Sequence, residues 1–138
     1  MLKNVIATIV GLVIASGVVF LFESLIGHSV FPLPEGIDPK NMESLKANMH
    51  LIPVGAKVFV VIGHFAGIVC GMWIAGMISK TSLIPAYIVG GFMLAATAFN
   101  IIMLPKELWF SLADGLLAIA AFFFGKSFAN RYVYGKLI

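Results

Sequence analysis

VIATIVGLVIASGVVFLFESLI, residues 5–26, runs straight into GHSVFPLPEGIDP, residues 27–39. The first stretch is apolar over about the 20 residues that a bilayer crossing requires, with a single charge, Glu23, near its end. The second cannot continue a helix. Pro32 and Pro34 lack an N–H, and each pushes the residue before it away from helical geometry. Together they read as one membrane-spanning helix with an abrupt stop. Lys3 ahead of an apolar core has the outline of a secretory signal. That core is longer than a signal core, however, and no A-x-A-like cleavage site follows, so the helix is expected to be retained.

Three more segments have the same character: residues 54–78, 83–104 and 108–128. The 138-residue chain is 61% hydrophobic and 11% charged, against roughly 25% charged in an ordinary soluble domain. So short a chain has too little interior to hide that much apolar surface from water. The expected fold is an all-α integral membrane protein: a single domain over 1–138, a bundle of four transmembrane helices with the lipid bilayer as its surroundings. The net charge of +3 comes from nine Lys and Arg scattered along the chain. No basic run interleaved with aromatics is present, which excludes nucleic acid as a partner. The one cysteine, Cys70, permits no intrachain disulfide and no Cys-rich metal site.

Four spans place both termini and the 79–82 turn on one side, with Lys3, Lys80, Lys126, Arg131 and Lys136. The other side carries Lys40, Lys46, Lys57 and Lys106. The positive-inside rule then predicts cytoplasmic N- and C-termini. Residues 30–53 form the only long connection. Within it Asp38-Pro39 looks like a helix start, and Met42, Leu45 and Met49 fall on one stripe. A short amphipathic helix over about 39–49 is expected at the outer surface or capping the bundle.

Gly63, Gly67, Gly71 and Ala75 recur every four residues in the second span, and Ala7, Gly11 and Ala15 form a similar row in the first. Small residues at this spacing let helix backbones approach where lipid supplies no hydrophobic force. The rows fit packing of spans one and two against each other; contact with a second copy is the alternative use.

Polar side chains inside a membrane are costly and mark sites to inspect. Four stand out: Glu23, His64, Asn100 and Asp114. At about 1.5 Å per residue, Asp114 lies roughly 10 Å and His64 roughly 15 Å along their spans. Glu23 and Asn100 sit about one turn below the span ends, so all four fall in the outer half of the bilayer. Two uses fit this depth. The side chains converge on an outward-facing site for a proton, a cation or a small polar ligand, with Glu23 and Asp114 as carriers. Or His64 and Asn100 are interhelical hydrogen-bond partners, while Glu23 meets His28 or a loop amide. No short-range metal-ligand spacing is present, His28 and His64 differ too much in depth for a bis-histidine haem, and Ser24–His28 lacks an oxyanion site. No cofactor is expected, and the residues point away from an enzyme.

Glu23, His28, Pro32, Pro34, Gly36, Asp38 and Pro39, with Pro53 and the Gly67/Gly71 row, resemble a family of small four-span bacterial membrane proteins. In that family the first helix ends in E-x4-H, a loop reads P-x-P-x-G-x-D-P, and a glycine-rich second helix follows. The similarity covers about residues 20–78, and the last two spans match only in being apolar. The resemblance implies architecture and a bacterial inner membrane, not an activity. It implies that Glu23, His28, Pro32, Pro34, Gly36 and Asp38 form one unit, a helix end capped by the loop folding back over it. The function expected is that of a structural or accessory membrane protein, assembling with itself or a larger complex; the alternative is a small proton- or cation-coupled transporter.

Overall fold

In the computed structural model, which describes residues 1–135, the chain is all-helical, with no strand among the described residues. Helix α1 covers Leu2–Val30, α2 Met42–Asn48, α3 Val54–Ser79, α4 Ile84–Met103 and α5 Leu108–Tyr134. Helices α1, α3, α4 and α5 are each long and apolar enough to cross a membrane. The protein is a small multi-pass membrane protein built as a four-helix bundle. Lys136, counted above among the positive charges beside the termini, lies outside the described residues.

Helix α3 is the axis of the bundle. It packs against α1 and α5 and also touches α4, which in turn meets both α1 and α5. The contact with α1 is made by small residues. A Cβ added at Gly67 would stand 2.8 Å from the Ala15 carbonyl oxygen, and one at Gly71 2.8 Å from that of Gly11. Ala7, Gly11 and Ala15 are buried along this face of α1. Two backbones therefore touch along matched rows, where packing must supply what hydrophobicity supplies in water. On the opposite side Gly76 gives room to Ala129 of α5. At mid-bundle Met72 is fully buried, and Gly90 and Gly125 leave space for its side chain.

The two ends close differently. At the end that carries the termini, Ser79 donates a 2.8 Å hydrogen bond to Asn4 Oδ1, tying α3 to α1. The other end is covered by the 31–53 connection. Phe31 folds its ring over Gly55, where no side chain would fit, and lies 6.2 Å from the Phe59 ring. Gly36 turns the chain at φ +87. Helix α2 starts later than the Asp38-Pro39 pair suggests. Asn41 is its cap, its side-chain oxygen accepting from the N–H groups of Glu43 and Ser44, while Asp38 accepts from the Lys40 N–H in a turn of its own. A side-chain acceptor next to the free N–H groups outweighs a proline at the first helical position. The helix then lays Met42 and Leu45, with Met49 of the following 3-10 turn, against Val61, Leu104 and Phe110.

Candidate functional site

Along α3 the residues Lys57, Val61, His64, Ile68 and Met72 are all buried, at helical spacing. Along α5 the matching stripe is Phe110, Asp114, Ala118, Ala121 and Gly125. Facing each other, they bring His64 and Asp114 together: Nδ1 lies 2.6 Å from Oδ1. Beside a carboxylate the imidazole carries its hydrogen on Nδ1, which donates. The other oxygen, Oδ2, accepts from Lys106 Nζ at 3.0 Å. Asp114 and the Lys106 side chain are each 0% exposed. The Lys106 ammonium also lies 4.2 Å from the centroid of the Phe110 ring, a favourable place for a cation. Two helix turns nearer the bundle end, Lys57 donates to Glu107.

These contacts are electrostatically economical. A lone charge in a low-dielectric interior is expensive, and a hydrogen-bonded partner offsets most of that. Each lysine here has one carboxylate. Glu107, at the start of α5 and 41% exposed, stands outside the spans. Its hydrogen bond from Lys57 holds its carboxyl below the usual carboxylate range.

Lys57 and Lys106, counted in the sequence only as positive charges on one side of the membrane, are buried partners of the acids, Lys57 at 2% exposure. A signal for Lys57 exists: it falls two turns before His64 on the same helical face. For Lys106 the only local hint is its four-residue spacing from Phe110.

Glu23 and Asn100 stand at a junction. A chamber of about 70 Å³ lies beneath α2, lined by both of them together with His28, Lys57 and Lys106. A wider groove of about 370 Å³ runs between α1 and α4, lined by Glu23, Ser24, His64, Thr97 and Asn100. So His64 joins Glu23 and Asn100 on one side and Asp114 on the other. Seven residues of α1, Leu21–Gly27, are wound as a π-helix around Glu23, an irregularity that recurs at functional sites.

The expected pairing of Glu23 with His28 or a loop amide is not formed. Among the described residues Glu23 makes no hydrogen bond or ion pair. The loop is closed on itself instead, the Asp38 N–H donating to Ser44 Oγ at 3.0 Å. Glu23 faces the two cavities, with His28 beside it only in the chamber. The Oδ1 of Asn100 and the Oγ1 of Thr97 are also buried without a partner. Among the described residues no three His, Cys, Asp or Glu side chains converge as a metal site. What the arrangement can do is twofold: a closed ionic knot locks α3, α5 and the 104–107 turn, and an unsatisfied set of acceptors sits next to it. No family model matches the chain, and no curated protein or solved structure matches it either.

Proposed function

We propose that the protein is a structural or accessory component of a bacterial inner membrane, with cytoplasmic termini, assembling with itself or within a larger membrane complex. The observation that carries this reading is Asp114. A proton carrier must let its acid exchange with water on each side in turn. The acid deepest in this bundle instead has both oxygens held, by His64 and Lys106, and no exposed surface. The charges thus serve to fix the bundle. The E-x4-H…P-x-P-x-G-x-D-P pattern supports the bacterial address, and the lysines near the termini support the orientation.

Assembly needs a free surface. The Gly63–Ala75 row is consumed against α1, so it is unavailable to a partner. The outward face of α4 offers Gly91, Ala95 and Ala98, all exposed, with nothing within 4 Å of a Cβ at Gly91. Small residues at this spacing admit a neighbouring helix closely. The test is mass determination of the intact particle after extraction from native membranes in a mild detergent. A discrete homo-oligomer, or a complex with fixed companions, is expected. A lone monomer under every mild condition would defeat the reading.

One observation favours a second reading, a small proton- or cation-coupled transporter: Glu23 is embedded and unpaired. A pH-dependent flux in proteoliposomes that disappears in Glu23→Gln would replace the first reading with this one.

A further inference from the structure

We propose that the groove between α1 and α4 is a binding site for an amphiphilic ammonium: a positively charged amine head on an apolar chain, entering sideways from the bilayer. Its polar wall holds a carboxylate and side-chain oxygens that lack partners among the described residues. The Glu23 carboxylate is unpaired, and both Asn100 Oδ1 and Thr97 Oγ1 are buried with no partner, Thr97 at 3% exposure. Ser24 adds a hydroxyl. His64, its Nδ1 hydrogen engaged with Asp114, has Nε2 left as an acceptor while the ring is neutral.

Charge decides the ligand's sign. The two lysines of the adjoining chamber, Lys57 and Lys106, are already neutralised by Glu107 and Asp114. That leaves Glu23, among the described residues, as the one uncompensated charge facing both cavities. An anion would meet the Glu23 carboxylate and the Asn100 carbonyl oxygen, while the Thr97 and Ser24 hydroxyls serve either sign. An ammonium donates to all of them and supplies the missing countercharge.

The remaining wall sets the ligand's shape. Val19 and Met93 line the groove beside Phe20 and Phe92, which are 56% and 60% exposed on the lipid-facing surface. A hydrocarbon chain lying between these rings keeps its contact with lipid, while the head reaches Glu23. The room, about 370 Å³, is within the range of small-molecule sites.

The test uses the full chain in phosphatidylcholine nanodiscs, with radiolabelled dodecylammonium as the probe and dodecanol as its uncharged counterpart. Saturable binding of dodecylammonium above empty discs is expected, with none for dodecanol. Glu23→Gln is expected to weaken it about tenfold or more, as loss of a charge-assisted hydrogen bond does. Ala96→Phe, an exposed position on the groove wall, keeps every polar group and fills the space; it should abolish binding even if Glu23→Gln misfolds. Repeating the titration in phosphatidylethanolamine discs separates the sources. Competition assigns the site to an aminolipid head, and undiminished binding assigns it to a free amphiphilic amine. Equal binding in wild type and Ala96→Phe, or equal binding of dodecanol, would overturn the proposal.

Discussion

Asp114 shows how a single acid can be tolerated in a membrane. Neither oxygen is left to lipid, and each partner comes from a different part of the chain: His64 from α3, Lys106 from the turn before α5. Asp114→Asn keeps the shape but strips the Lys106 ammonium of its counterion. Removing one partner of a buried pair costs about 3–5 kcal/mol, so this variant should unfold at clearly lower temperature in detergent. Asp114→Leu combined with Lys106→Met removes both charges and should recover most of the loss; a double variant as unstable as the single would refute the pairing. Glu107 gives a pH signature. Its carboxyl is held below the usual carboxylate range by Lys57, so its contribution is fully present above the unfolded-state value. It is lost as pH falls through the lower folded-state value. Thermal stability should therefore decline on acidification, and less steeply in Glu107→Gln than in wild type, when both are followed by melting across pH.

At the scale of elements, the α1–α3 contact makes the sharpest prediction. A Cβ at Gly71 would stand 2.7 Å from that of Ala15 and 2.8 Å from the Gly11 oxygen. Gly71→Val must push the helices apart, a cost on the order of 1–3 kcal/mol. Gly17, six residues after Gly11 on the same helix, meets nothing within 4 Å, and Gly17→Ala should leave the melting temperature unchanged or slightly raised. The spans and the stripe of α2 were legible in sequence because each rests on local pattern: a run of apolar residues, prolines that stop it, methionines at helical spacing. The buried faces of α3 and α5 were harder to see. In water a core announces itself as an apolar stripe, but in lipid both faces of a helix are apolar, and the inward stripe is marked by small and polar residues. Gly63, Gly67 and Gly71 carry that mark plainly. Lys57 carries it in disguise, because a lysine near a helix end reads first as a solvated charge.

For the whole molecule, the even number of spans and their shared sidedness follow from counting. The ionic knot does not, because it joins residues about fifty positions apart through a turn whose lysine has no periodic signal. Depth alone groups Glu23, His64, Asn100 and Asp114 together in the outer half of the bilayer, with nothing to divide the four between a closed pair and an open groove. That division depends on where α1 diverges from α4. Assembly belongs to this scale too. If the α4 face is the contact, Gly91→Leu should reduce the intact particle to its monomer mass while leaving the melting temperature of the detergent-solubilised chain within about 0.5 kcal/mol equivalent of wild type, as for a surface change.

The π-wound stretch of α1 has a consequence for the register of everything after it. Hydrogen bonds there close one residue later than in an α-helix, so the stretch behaves as though it held one residue more than its turns require. If Leu21–Gly27 kept all seven residues but were wound as ordinary α-helix, the surplus would pass down the chain as extra rotation. His28 and Phe31 would then swing by about 100° around the helix axis. Phe31 would leave its seat over Gly55, and the lid formed by residues 31–53 would lose its hinge. The surplus residue that widens the helix beside Glu23 is thus also what aims the lid.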